Sequence, residues 1–341
     1  MIFFLLFSIL IFSLFLTYLL ENIFKKFSLF IDTPSSRSCH KLPTPTSGGL
    51  SILFSFFFYL FFLLKLDYIN IGIFSVLTLA VFPLIIIGLI DDLKNINMLY
   101  RLVTQFLSSF LLVYVFYINN SFYYTDNFSQ QYLVTIFLLI LLSIWLMNLY
   151  NFMDGIDGYA SSECIFVSFA ASALAYLNDA DNYMYLYLLG LGFSTLGFLF
   201  RNWHPAKIFM GDTGSVSIGC IFIFFIFYSA AESILSIYTW LILLAVFISD
   251  STYTLFVRIL TKKNIFMPHL THAFHILTIN KNSQLFTNKV MIFLNIFWIF
   301  PLALLSNIYS QYHIIITFFV YLPLFYYIHK IGAGLDRELR I

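Results

Sequence analysis

Asn148, Asn151, Asp154 and Asp157 recur every three residues in the segment NLYNFMDGIDGYA. On a helix this spacing makes one slowly drifting polar stripe. Gly155 and Gly158 remove side-chain bulk beside the two carboxylates, so a ligand can reach both acids and the backbone. Packing alone seldom places four polar groups in register at a membrane boundary, where an unpaired polar group is costly. A second such segment, NWHPAKIFMGDTGSVSIG at residues 202–219, sets Asp212 between Gly211 and Thr213-Gly214-Ser215, just ahead of an apolar run. A lone carboxylate in a glycine-flanked turn suits Mg²⁺, a hard cation that takes oxygen ligands and bridges one or two carboxylates to substrate phosphates. Lys207, five residues earlier, would neutralise phosphate charge. The plainer alternative is a tight turn whose Asp caps a helix.

Three further segments carry polar clusters. GLIDDLKN places Asp91 and Asp92 at the end of an apolar run, with Lys94 close behind. Two adjacent acids are out of place at a helix C-terminus, which prefers cations. They point to metal binding or proton abstraction, or else to a solvated helix end. The segment from Asp32 to Leu50, DTPSSRSCHKLPTPTSGGL, carries Arg37, His40 and Lys41 and enters a helix at Gly48-Gly49. Such backbone can approach a phosphate closely, and helix N-termini favour anions; an ordinary basic loop beside anionic lipid is the alternative. MPHLTHAFHIL spaces His269, His272 and His275 by threes, on one face if helical. Zinc is one reading, but thiolates are absent and structural zinc usually takes four ligands; imidazoles as phosphate donors fit the other segments better. Glu163 and Asp250 lie inside or at the edge of apolar runs, where acids mark function by default. Both are expected to line the same cavity, unless they merely pair with loop cations such as Arg258.

The elements that must position these residues follow from the solvent. The chain is 61% hydrophobic, 21% aromatic and 10% charged, with a mean hydropathy of +0.92. A soluble domain carries about 25% charged residues, so the bilayer must be the solvent for most of this chain. A net charge of +1 implies no bulk attraction to nucleic acid. Cys39, Cys164 and Cys220 are odd in number and widely spaced, so neither a disulfide framework nor a CxxC metal site is expected. The first apolar run has no leading cation and no small-residue cleavage site, and reads as a retained anchor.

A spanning helix needs about 20 apolar residues. Runs near 1–20, 49–66, 71–90, 102–118, 132–150, 159–177, 183–200, 216–231, 233–257, 289–308 and 312–329 predict an all-α polytopic membrane protein of about eleven transmembrane helices. The division between 216–231 and 233–257 is the weakest, because only Glu232 and Ser233 interrupt it. Sixteen of the seventeen Lys and Arg residues fall in one set of loops, and Lys65 alone in the other. By the positive-inside rule the N-terminus is periplasmic and the C-terminus cytoplasmic. Residues 1–341 then form a single integral-membrane domain with catalytic cytoplasmic loops near 21–48, 91–101, 151–158, 201–215 and 258–288, and no internal repeat, long linker or soluble extra domain.

Taken in order, the five segments resemble the polyprenyl-phosphate N-acetylhexosamine-1-phosphate transferase family, from Asp32 to about His275. IDDLKN, NLYNFMDGIDG and NWHPAKIFMGDTGS are the most specific elements. NFMDGIDG and PAKIFMGDTGS look most like the O-antigen-initiating branch and less like the peptidoglycan branch. The resemblance implies Mg²⁺ as cofactor, with Mn²⁺ as the alternative ion. Asp212 matches the metal-binding aspartate, and Asn151 an asparagine that shares the metal. Asp154 and Asp157 match acids at the nucleotide-sugar pocket, and Asp91 a proposed base toward the acceptor lipid phosphate. His269 and His272 fall in a histidine motif that contacts the donor diphosphate. Two positions depart: Leu270 stands where the family usually has Arg, and a further cation common near Leu99 is missing, leaving Arg101 alone.

The expected reaction moves an N-acetylhexosamine-type sugar-1-phosphate from a UDP-sugar to undecaprenyl phosphate in the bacterial inner membrane, with release of UMP. Both partners are anions, so metal and cations must carry the catalysis. Mg²⁺ on Asp212 and Asn151, with Arg37, Lys41, Lys94, Lys207 and the histidines, would supply the positive field. His40, Arg101, Asn148 and His275 complete the expected substrate contacts, and a homodimer is one option for the assembly. The rival readings are a transporter or flippase of an anionic lipid-linked substrate, which predicts polar groups near the bilayer midplane, and a non-catalytic membrane scaffold.

Overall fold

Backbone in a bilayer must satisfy its own hydrogen bonds, so long apolar runs become helices. The computed structural model describes residues 2–34, 42–94, 96–118, 130–264 and 269–336. Among these lie α1 (Ile2–Phe27), α2 (Gly49–Lys65), α3 (Ile71–Lys94), α4 (Met98–Val113), α5 (Gln130–Phe152), α6 (Tyr159–Asn178), α7 (Met184–Asn202), α8 (Gly211–Ala231), α9 (Ile237–Leu243), α10 (Ala245–Leu260), α11 (Ala273–Lys281), α12 (Gln284–Leu294), α13 (Phe300–Ile308) and α14 (His313–Lys330). Five-residue π-turns extend α4 to Ile118 and join α12 to α13. A two-residue ribbon pairs β1 (Ile31–Asp32) antiparallel with β2 (Thr44–Pro45). The protein is all-α, with nine helical stretches among the described residues long and apolar enough to cross a bilayer.

The eleven expected runs all become helix, but two do so differently from the prediction. The run at 49–66 is α2, a shorter apolar helix of 17 residues. The run at 233–257 is a correction: it breaks into α9 and α10, bent by 77°. Neither Pro nor Gly occurs between Ile237 and Leu260, so nothing in local propensity marks the bend.

Burial grades from centre to rim. The apolar window of α8 is 78% buried, against 22% for α1 and 17% for the stretch containing α14. The rim helices point Phe3, Phe4, Ile314 and Phe318 outward, as lipid-facing surfaces do. Central α8 packs against α2, α3, α4 and α5. Its first turn is locked by close backbone approach: a Cβ on Gly49 would meet Gly214 Cα at 2.3 Å, and one on Gly88 would meet Thr213 Cα at 2.6 Å. Asp212 therefore stands at the end of the most enclosed of these helices, a rigid mount for a functional group.

Candidate active site

A cavity of about 610 Å³ is lined by residues from all five polar segments: Asp32 and Thr46, Asp91, Asp92 and Arg101, Asn151, Asp154 and Asp157, Asn202 and Asp212, and His269, Leu270 and His275. The five connections thus meet at one end of the bundle. Asn151, Asp154 and Asp157 of the first segment and Asp212 of the second, expected to form one site, share its wall.

The acid wall is built on two helix ends. Asn97 caps α4, its side chain accepting from the Leu99 amide at 2.9 Å, and this sets Arg101 one turn in. Arg101 Nη1 donates to Asp91 Oδ2 at 2.7 Å, and Nη2 lies 2.8 Å from Asp212 Oδ2. Asp91 Oδ1 also accepts from the Ile96 amide at 2.9 Å. Asp92 turns the other way. It accepts from the amides of Asp212 and Thr213 at 3.1 and 3.4 Å, and from the hydroxyls of Thr213 and Ser47 at 2.8 and 2.6 Å. Its negative charge thus sits on the positive end of α8. This answers the dipole puzzle of two acids ending α3: one meets a guanidinium and the other a helix N-terminus. Gly211, at φ +74°, supplies the left-handed turn into α8.

Asn151 Nδ2 donates to Asp212 Oδ1 at 2.8 Å and to Ser215 Oγ at 2.9 Å. The expected helical stripe is corrected at this point: α5 ends at Phe152, and Asp154 and Asp157 lie on the turn 153–158. That turn closes with Gly158 at φ +72°. Asn148, one turn back, does not line the cavity. It forms a reciprocal amide pair with Gln105 of α4, at 2.7 and 3.3 Å, which ties two helices together. Asp157 is also anchored, accepting from His204 Nδ1 at 2.7 Å and from the Ala206 amide at 3.1 Å. Asp154 faces the cavity. Enclosure by protein, then the nearby Asp212, Asp92 and Asp157 carboxylates, push its pKa up to about 8. Electrostatics prime such a group either to hold a proton or to meet a cation.

The histidine wall rests on Asp250. This acid of α10 accepts from the Ala273 and Phe274 amides at 2.8 and 3.0 Å and from His272 Nδ1 at 3.3 Å, and so caps α11. The imidazoles step past one another, with centroids 4.9 Å apart for His269–His272 and 6.1 Å for His272–His275, rather than converging on a point. His269 and His275 line the cavity and His272 stands behind them. Burial, reinforced by His272, pushes the pKa of His269 and of His275 down to about 3. At neutral pH both are uncharged hydrogen-bonding groups rather than cations. His275 packs directly on Gly155, where a Cβ would meet its Nε2 at 2.6 Å.

Several expectations change against this geometry. Glu163 and Asp250 do not line the cavity; Glu163 is fully buried and accepts from Asn295 Nδ2 at 2.6 Å. Arg258 does not pair with Asp250 but donates to the Asn264 carbonyl at 2.7 Å. Lys94 and Lys207 are exposed and do not line the cavity. The amides of Gly48 and Gly49 are not open to a phosphate, because they donate to the carbonyls of Phe209 and Met210 at 2.8 and 2.9 Å. Those glycines serve close helix packing instead. Arg37, His40 and Lys41 lie outside the described residues. Arg101 is then the one Lys or Arg among the described lining residues. Sequence reading passed over Asp32, Thr46 and Asn202 on the wall and His204 behind it, although His204 lies inside the NWHPAKIFMGDTGS motif.

The donor set fits a hard cation. Asp154 and Asp212 offer carboxylate oxygens on one wall of one cavity, and the Asn151 amide, whose Nδ2 now faces Asp212, would offer its oxygen on turning over. Among the described residues no three His, Cys, Asp or Glu side chains close on a point. An ion here would complete its shell with water and substrate phosphate, as Mg²⁺ does.

Residues 73–230 match the family model described as Glycosyl transferase family 4. A Bacillus subtilis protein named "Probable undecaprenyl-phosphate N-acetylglucosaminyl 1-phosphate transferase" is 29% identical over 260 residues, covering 72% of this chain and 68% of that protein. The phospho-N-acetylmuramoyl-pentapeptide-transferase of Campylobacter lari is 34% identical over 212 residues, covering 52% and 58%. That of Kosmotoga olearia is 36% identical over 149 residues, covering 40% and 46%. The chain thus spans between about half and two thirds of the length of these relatives.

Proposed function

Because this chain belongs to the polyprenyl-phosphate hexosamine-1-phosphate transferase family, a family of phospho-sugar transferases, we propose that it moves an N-acetylhexosamine-type sugar-1-phosphate from a UDP-sugar to undecaprenyl phosphate, in a Mg²⁺-dependent step that starts a cell-surface polysaccharide of the O-antigen type. An oxygen of the lipid phosphate attacks the β-phosphorus of the donor. The bond from that phosphorus to the bridging oxygen breaks, and UMP leaves with the electron pair. The observation that carries this reading is the shared cavity wall of Asn151, Asp154 and Asp212, an oxygen-donor cluster at one end of an apolar bundle.

Asp212, Asp154 and Asn151 would hold the ion, which when bound supplies positive charge against the diphosphate. Asp92 fixes the first turn of α8 and hence the direction of Asp212. Asp91, committed to Arg101 and the Ile96 amide, orients the guanidinium; a phosphate anion needs no strong base to become a nucleophile. Arg101 offers charge-assisted hydrogen bonds to a phosphate. Neutral His269 and His275 donate hydrogen bonds to the diphosphate without adding charge. The positive-inside bias supports a cavity facing the cytoplasm, where nucleotide sugars are at hand. The test supplies detergent-purified protein with undecaprenyl phosphate, Mg²⁺ and a panel of UDP-sugars. UMP release that requires all three components is the expected result. No UMP with any donor would overturn the proposal.

A further inference from the structure

The turn 153–158 carries two acids of the cavity on irregular backbone between α5 and α6, and besides the buried Met153 and Ile156 it is held by polar groups from outside. Asp157 shows which. Its amide donates to Gln284 Oε1 at 2.9 Å, and its carbonyl accepts from Asn288 Nδ2 at 2.7 Å. Both partners lie on α12, four residues apart and hence on one face, and both are buried. They grip the two polar groups of one residue's backbone. The side chain of that residue is then held by His204 and the Ala206 amide. The same hairpin, α11 leading into α12, presses His275 onto Gly155 two residues earlier. About two turns beyond Asn288, Asn295 donates to Glu163 at 2.6 Å, so the same helical stretch also grips the helix into which the turn leads.

We propose that Gln284 and Asn288 are positioning residues of the donor pocket: they fix the backbone of Asp157 and through it the place of its carboxylate on the cavity wall. Neither side chain lines the cavity, so their effect passes through the turn. The proposal rests on the transferase reading for its kinetic form alone. Polarity gives it a sharp signature. Gln284 serves as an acceptor and Asn288 as a donor, so an isosteric Asn288→Asp turns a carboxylate oxygen toward the Asp157 carbonyl. Gln284→Met keeps length and removes the acceptor. Thr287→Val, which breaks the buried Thr278–Thr287 hydroxyl pair at 2.8 Å in the same hairpin, disturbs packing without touching Asp157.

The experiment pairs donor kinetics with amide hydrogen exchange on the detergent-purified full chain. Asn288→Asp and Gln284→Met are each expected to raise the KM for the UDP-sugar by about tenfold, with kcat at saturating donor changed by less than about threefold. Exchange across residues 153–158 is expected to speed up in both. Thr287→Val should leave KM and that exchange as in the wild type. Combined with Asp157→Ala, Gln284→Met should add little further to KM, because both act through one turn. Unchanged exchange over 153–158 in both variants would overturn the proposal, and so would full additivity with Asp157→Ala. Faster exchange in a chain that releases no UMP from any donor would leave the structural grip standing while the transferase reading fails.

Discussion

The cavity has two walls that are built alike and present opposite chemistry. On one side a carboxylate from α3, Asp92, caps α8; on the other a carboxylate from α10, Asp250, caps α11. In each case an acid from one helix stabilises the positive end of another and fixes the residues just inside it. Beyond the caps the two walls part. The first turn of α8 offers Asp212 beside Asn151 and Arg101, a charged and oxygen-rich face. The start of α11 offers buried His275, with half-buried His269 alongside, both held neutral by loss of solvent and by neighbouring His272. Helix N-termini here are therefore occupied by internal acids and are not themselves the phosphate sites. They aim side chains.

This comparison can be broken from either side. The largest effect is expected on the acid wall: Asp212→Asn should lower transferase activity in membranes by about a hundredfold or more, and retained activity would separate the wall from the chemistry. Next come the caps. Asp92→Ala and Asp250→Ala each strand buried donors and should destabilise the protein by about 1–3 kcal/mol, read as a fall in thermal midpoint in detergent. If the walls are separately mounted, Asp250→Ala should loosen hydrogen exchange over α11 while leaving the start of α8 protected, and Asp92→Ala the reverse.

The histidine wall gives a pH signature. The pKa of His275 is lowered from 6.5 to about 3 on folding, so between those values the unfolded chain binds more protons than the folded one. Its contribution to stability is complete above about pH 6.5 and is lost as pH falls toward about 3. His275→Gln should flatten the rise of thermal midpoint with pH across this window, and an unchanged slope would contradict a neutral His275. The smallest effect belongs to Asn148→Ala. Its amide pair with Gln105 lies outside the cavity, so KM should stay within about twofold while stability drops by about 1 kcal/mol.

Much of this arrangement was legible in the chain, because chemistry in a membrane protein stands out against an apolar background. Five polar segments were readable, and all five meet in one cavity. Side-chain direction was not readable. Period-three spacing grouped Asn148 with Asn151, Asp154 and Asp157, yet α5 stops at Phe152, and a glycine turn rather than a helix carries the two acids. The adjacent Asp91 and Asp92 looked equivalent, and only the packing of α3 against α4 and α8 sends one to Arg101 and the other to a helix end. Asp250 and Glu163 looked like cavity acids, but the partners that claim them come from segments far away in sequence. Gln284 and Asn288 carried no signal, since isolated amides in a helix announce nothing until the turn they hold is known. The bend between α9 and α10 likewise has no residue to mark it.

The central claim is that Asp212, Asp154 and Asn151 hold one divalent ion against a diphosphate. Mn²⁺ binding followed by electron paramagnetic resonance, on detergent-purified protein with UDP present, tests it most directly. The account predicts about one bound Mn²⁺ that Mg²⁺ displaces, lost in Asp212→Asn and kept in Asn148→Ala. Equal binding by the wild type and Asp212→Asn would contradict it.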